Sequence, residues 1–284
     1  MAGLLRAIPL SEIRLGVTTD EIDEDPAKAA EFLNRFGVGY AEVRSLWGKY
    51  GTTQPVDKIR EARRIFDAHK IQTSILDTAF FRGDIPADGA DLDREWTLLD
   101  ASMQRGDILG TKVLRIFAFL PKDKNVGDTA AFARSYELLI EAAKRAKARG
   151  FRLAVENLEG SYVQTGADSA RLLRAVQIDN FGLTWDPNNA AASGETSFPD
   201  GYRKLDPARI FHVHLRDYRR KPDGKVEWVA VGTGEFDNLG LIRAMHKDGY
   251  RGTFTLETHW RPPQGKAYAT GISLTALLKV IEQV

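Results

Sequence analysis

The chain has 284 residues, 43% of them hydrophobic and 28% charged, with a formal net charge of +1; it is long enough to bury a large core and carries no basic excess suited to a nucleic-acid partner. The absence of cysteine excludes disulfides, thiolate metal sites and a cysteine nucleophile, so any metal must be held by His, Asp and Glu. The N-terminal MAGLLRAIPLSEIRLG lacks the apolar core of a signal peptide and no uncharged run reaches membrane-spanning length, so a cytoplasmic protein without a membrane partner is expected.

In chain order, short β-type runs alternate with longer helix-type ones. RLGVT (14–18) precedes PAKAAEFLNRF, where Pro26 suits a helix N-terminus and Gly37 lies just past the end. YAEVR (40–44) precedes VDKIREARRIFDAH, QTSIL (72–76) precedes LDREWTLLDASMQRG, and KVLRIF (112–117) precedes AAFARSYELLIEAAKRAKARG, closed by Gly150. RLAVE (152–156) precedes ADSARLLRAV, and GLTWD (182–186) precedes the weakest helix pattern, around SFPDGYRKLDPA. IFHVH (210–214) precedes LGLIRAMHKDG, and TFTLE (253–257) precedes ISLTALLKVIEQV. Eight such units of about 35 residues predict a single-domain (β/α)8 TIM barrel over 1–284. A doubly wound sheet is the alternative, but no Gly-rich turn follows the first strand. After the seventh strand, RDYRRKPDGKVEWVAVGTGEFD reads as a β-hairpin turning at PDG.

Strand alternation selects the candidate site. Phe211, Val213 and Leu215 point one way, and His212 and His214 the other. The outer face of a barrel strand is buried under helices, so the apolar residues Leu153, Val155, Leu183, Trp185, Phe254 and Leu256 belong outside. Glu156, Asp186, His214 and Glu257 then face the lumen at the C-terminal strand ends, where barrel active sites sit. Three converging carboxylates and an imidazole require a compensating cation, and a divalent metal supplies one. This donor set suits one ion of Mn, Mg or Co, with Zn also accommodated. His212 lies one layer deeper, first as a supporting or packing group and second as a substrate contact. His259 shares the inward phase just beyond the last strand, for substrate contact or loop packing, and Arg216 and Asp217 lie near the mouth as substrate or supporting groups. Glu42, Arg44 and Arg115 also face inward and read as a lumen ion pair. Trp47 and Phe117 read as core, and His69 and His246 as surface residues.

VENLEG, TWDPNNA, FHVHLRD, VGTGEFD and TLETHW, in that order, resemble the xylose isomerase-like barrel superfamily, the sugar phosphate isomerase/epimerase group. The resemblance is close over the C-terminal half and reaches the N-terminal half only as βα pattern. It implies a metal, Mn first, held by Glu156, Asp186, His214 and Glu257. It further implies that Glu156 and Glu257 act as an acid/base pair on a sugar or polyol, removing a proton beside a carbonyl through a metal-stabilised enediolate. Two positions bear on substrate binding. Asn189 stands where ketose 3-epimerases of this group carry His, and Arg220 has the spacing of a substrate-holding Arg. The expected function is therefore a metal-dependent sugar isomerase or epimerase of carbohydrate metabolism. An inosose dehydratase-like or glycoside-cleaving lyase is the alternative, ahead of an apurinic-site endonuclease or a non-catalytic sugar-binding subunit. Relatives suggest a homo-oligomer.

Overall fold

The computed structural model describes residues 12–122 and 129–284. Eight parallel strands form a closed barrel: β1 (Arg14–Thr18), β2 (Tyr40–Val43), β3 (Gln72–Asp77), β4 (Val113–Ile116), β5 (Arg152–Glu156), β6 (Phe181–Trp185), β7 (Ile210–Leu215) and β8 (Thr253–Leu256). Each pairs with its neighbours in sequence, and β8 closes on β1 through Leu15↔Phe254 and Gly16↔Thr255. Between and after them run α1 (Pro26–Arg35), α2 (Val56–Ala68), α3 (Ala90–Leu109), α4 (Thr129–Ala148), α5 (Gly166–Ala175), α6 (Pro187–Ala192), α7 (Asn238–Lys247) and α8 (Lys266–Ile281). The sequence-predicted (β/α)8 barrel is the observed fold.

The longer helices carry an apolar stripe, and several have a defined start. Asp25 caps α1 by accepting from the Ala27 N–H at 2.9 Å, with Pro26 at the first helical position. Thr165 and Asp168 close a reciprocal capping box on α5. The stripes meet the outward strand residues. Leu153, Val155, Leu183, Trp185, Val213, Leu215, Phe254 and Leu256 join one buried cluster with Phe66, Leu99, Leu139, Leu172 and Leu277. Each fully buried side chain of this kind contributes about 1.5–3 kcal/mol, so the outer layer holds the barrel and leaves the lumen free for polar groups.

The sixth connection differs from expectation. Its helix, α6, starts directly after β6 rather than around SFPDGYRKLDPA, which instead forms short turns between 197 and 209. Asp186–Pro187 is a cap followed by a first-turn proline, a start signal that outweighs the weak periodicity downstream. The predicted hairpin is present, with Asp217–Arg220 antiparallel to Val226–Val229.

Strict alternation also fails at Phe211. The β6–β7 register steps from Leu183↔Ile210 to Thr184↔His212, leaving Phe211 as the extra residue of a bulge. Its ring therefore packs with Ile75 and Ala154, separate from the outer cluster that holds Val213 and Leu215. Gly182 makes room for it: a Cβ there would lie 2.7 Å from the Phe211 ring and 2.3 Å from the Arg209 carbonyl oxygen. Gly182→Ala should destabilise the protein by about 1–3 kcal/mol, as overpacking does. A urea denaturation midpoint equal to that of the parent would refute this account of the bulge.

Candidate metal centre

The C-terminal ends of β5 to β8 deliver four side chains to one point. Ligand atoms from Glu156, Asp186, His214 and Glu257, all buried, lie within 4.8 Å of one another. His214 Nδ1 is 3.3 Å from Glu156 Oε1, 3.5 Å from Asp186 Oδ2 and 3.3 Å from Glu257 Oε2. Donors sharing one cation at bonds of about 2.0–2.2 Å stand about 3 Å apart when adjacent, so the spacing fits a common ion.

Each carboxylate has one oxygen fixed away from His214 and turns the other toward it; the facing oxygens of Glu156 and Asp186 are also bonded, by Asn189 and Arg216. Glu156 Oε2 accepts from Arg115 Nη1 at 2.9 Å. Asp186 Oδ1 caps α6, accepting from the backbone N–H groups of Asn188 and Asn189, both at 2.8 Å. Glu257 Oε1 is held by Arg44, and His259 Nε2 lies 3.1 Å from it. Burial raises the pKa of Glu257, but His259, His214 and Arg44 outweigh it and hold the group well below the usual carboxylate range. For Asp186, burial is likewise outweighed by Arg216 and His214, and the net shift is downward.

His214 is oriented from below. Glu42, wholly buried, accepts from Nε2–H of His212 at 2.6 Å and from Nε2–H of His214 at 2.9 Å. Burial alone would neutralise Glu42, yet His214 and His212 keep it well below the ordinary range; as a carboxylate it only accepts, so both Nε2 atoms carry the protons. This turns Nδ1 of His214 toward the three carboxylates, the carboxylate–histidine support common at metal sites. Two of the four candidate ligand atoms, His214 Nδ1 and Glu257 Oε2, are buried without a hydrogen-bond partner. A cation would satisfy both. Without one, a proton does so: burial lowers the His214 pKa, but Glu42, Glu257, Asp186 and Glu156 together lift it well above its ordinary value. The residues present therefore fit a divalent metal.

Above this cluster opens a cavity of about 310 Å³, lined by Arg44, Tyr50, Arg82, Arg115, Phe117, Glu156, Asn189, Arg216, Glu257 and His259. Asn189 Nδ2 donates to Glu156 Oε1 at 3.3 Å, and Arg216 binds Asp186 and reaches Asn189 Oδ1 at 3.2 Å. Arg216 also stacks over Trp228 of the hairpin, 4.5 Å from its ring centre. His259 Nδ1 accepts from Arg216 Nη1 at 2.7 Å, and its backbone sits at a φ of 50°. That left-handed conformation is sparsely populated for a non-glycine residue, and such strain clusters at functional sites.

Asn189, Arg216 and His259 thus lie where sequence reasoning expects substrate contacts, whereas two other candidates do not. His212 sits beneath the centre against Glu42, away from the cavity lining. Arg220 stays in the hairpin, donating to the carbonyls of Ala191 at 3.0 Å and Gly224 at 3.4 Å. Asp217 is structural: it accepts from the N–H groups of Gly232 and Gly234 and fastens the hairpin's return loop. Glu42, Arg44 and Arg115 do not pair among themselves. Arg44 binds Asp20, Glu21 and Glu257, Arg115 bridges Asp77 and Glu156, and Glu42 serves the histidines. Sequence reasoning missed Asn157, which exchanges two 2.8 Å bonds with the backbone of Asp186; the available signal was a second polar residue directly after Glu156. It also missed Asp20, Glu21, Asp77, Tyr50 and Arg82.

A wider recess of about 570 Å³ at the opposite end of the barrel is lined by Arg14, Tyr40, Arg251 and Leu278, among others. It contains no cluster of ligand atoms among the described residues.

Known proteins share this fold. A mannonate dehydratase of Saccharophagus degradans is 32% identical over 116 residues, which is 39% of this chain and 29% of that protein; the match thus spans under a third of the relative's length. Among solved structures, the IOLI protein with a bound zinc atom superposes with a TM-score of 0.76 at 20% identity, covering 95% of this chain and 98% of that one. D-allulose 3-epimerase from a Methylomonas species, also solved with D-allulose, superposes with a TM-score of 0.75 at 16% identity, over 96% and 98% of the two chains. The family model described as xylose isomerase-like TIM barrel matches residues 30–278, most of the chain, and the protein belongs to that family.

Proposed function

We propose that the protein is a divalent-metal-dependent isomerase or epimerase acting on a sugar or polyol. The observation that carries the reading is the convergence of three carboxylate oxygens on the unpartnered Nδ1 of His214 beneath a polar cavity. Glu156, Asp186, His214 and Glu257 hold one ion, Mn first among Mn, Mg, Co and Zn. When bound, the ion supplies Lewis-acid stabilisation of negative charge on a substrate oxygen. Supporting this, the IOLI structure holds zinc and the epimerase structure holds a ketose.

The side chains divide the remaining work. Glu156 and Glu257 both line the cavity. One takes a proton from the carbon beside the carbonyl, and the other returns a proton to the same or the neighbouring carbon. Arg115 and Asn189 fix the first glutamate, and Arg44 and His259 fix the second. Neither carboxylate then has to reorganise when the proton moves. Arg216, Asn189 and His259 present donors and acceptors to substrate hydroxyls. A dehydratase begins with the same proton abstraction and ends with loss of hydroxide from the next carbon. The mannonate dehydratase likeness is the specific observation that favours it as the second reading.

Glu156→Gln and Glu257→Gln should each lower kcat by about 10²–10⁴-fold. The assay is solvent-deuterium incorporation across ketoses, inososes and sugar acids, with 2-keto product formation reporting dehydration. Full turnover in either variant would remove the acid/base assignment. His214→Ala or Asp186→Asn should weaken Mn²⁺ binding at least about tenfold by titration calorimetry, and unchanged affinity would remove them as ligands. The raised pKa of His214 fixes the sign of the pH dependence. Below that pKa a proton occupies Nδ1 and must leave as metal binds, so affinity should rise about tenfold per pH unit until the pKa is passed. Calorimetry in buffers of different ionisation enthalpy should report proton release on metal binding below that pKa, and no release at any pH would contradict this.

A further inference from the structure

Four arginines line the cavity, and three of them are neutralised. Arg44, Arg115 and Arg216 each contact at least two carboxylates. Arg82 differs: among the described residues no carboxylate lies within ion-pair distance of it, and its contacts are neutral. Its Nη1 donates to the Tyr50 hydroxyl at 3.1 Å, and its guanidinium carbon lies 5.6 Å from the centre of the Phe117 ring.

Exposed arginines are ordinary on protein surfaces, but this one is mounted. The loop after β3 is zipped to the loop after β4 by three backbone bonds. Phe117 N–H donates to Phe80 O at 3.1 Å, Phe119 N–H to Phe81 O at 2.9 Å and Leu120 N–H to Gly83 O at 2.8 Å. Phe81, immediately before Arg82, holds a φ of 58°, and its ring stacks 3.8 Å from Phe80. Tyr50 comes from the loop after β2. Backbone bonds thus hold the main chain around Arg82, and Tyr50 holds its exposed, unneutralised guanidinium, at the wall of the cavity whose floor is the candidate metal centre. A neutral polyol needs hydroxyl partners there, and uncharged or already paired side chains would provide them. A fixed guanidinium with free N–H groups is suited to an anion, which it binds by charge-assisted, bidentate contact.

We infer that the substrate carries an anionic group, a carboxylate or a phosphate, and that Arg82 with Tyr50 is the subsite that receives it. The inference rests on the sugar or polyol reading above and narrows its substrate class to sugar acids or sugar phosphates. Arg82 acts here as a specificity-determining residue and takes no part in proton transfer.

The test uses the full chain loaded with Mn²⁺ and three probes that differ at one end: D-glucitol, D-gluconate and D-glucitol 6-phosphate, compared by competition calorimetry. At least one anionic probe should bind ten-fold or more tightly than D-glucitol, and the advantage should shrink as salt is raised. Which of the two is favoured identifies the group as carboxylate or phosphate. Arg82→Gln should reduce the advantage to less than three-fold with D-glucitol affinity and metal stoichiometry unchanged, and Arg82→Lys should keep most of it. Equal affinity for all three probes, or an anion preference that survives in Arg82→Gln, overturns the anionic subsite and leaves the polyol reading standing. Failure of all three to bind removes both.

Discussion

The site depends on the imidazole of His214 held between four carboxylates. Glu42 accepts a hydrogen bond from Nε2–H beneath, and Glu156, Asp186 and Glu257 face Nδ1 from above. All of these groups are buried, so their mutual repulsion is screened little and must be answered by charge. Arginines answer it at the periphery; at the centre only a proton or a cation fits. Much else in the lumen follows from that requirement. Arg115 bridges Asp77 and Glu156, Arg44 gathers Asp20, Glu21 and Glu257, and Arg216 spans Asp186 and Glu257. Asp77 marks the limit of this compensation: burial and the nearby Glu42 outweigh Arg115 and lift its pKa well above the usual carboxylate range.

The division of labour within single side chains is economical. Asp186 caps a helix with one oxygen and faces the centre with the other, so the start of α6 and the geometry of the site are one feature. Asn157 locks the Asp186 backbone from the neighbouring strand end. A substitution that loosens α6 should therefore be felt at the centre, since ligand position depends on the shell that holds it.

The barrel was legible from the order of elements, because parallel strands buried under helices leave apolar runs and helix stripes leave a different period. The four converging side chains were legible because alternation places residues on a strand face without knowledge of contacts. Alternation failed at Phe211, where a bulge inserts one residue and no local signal marks it except the glycine on the next strand. Partnerships across the lumen were not legible. Glu42 on β2 meets histidines on β7, 170 residues away in sequence, and only closure of the barrel brings them together. His212 and Arg220 show the same limit from the other side: phase or spacing suggests the cavity, while depth and the hairpin's course take them from it. Arg82 carried no pattern at all, because its position comes from two loops bonded to one another.

The central claim concerns where a cation sits. Crystals grown with Mn²⁺ and measured at the manganese absorption edge would show it directly by anomalous scattering. The account predicts one strong peak per chain at bonding distance, about 2.0–2.3 Å, from His214 Nδ1 and from an oxygen of each of Glu156, Asp186 and Glu257. A peak elsewhere in the barrel, or none with the four side chains still in place, would contradict it.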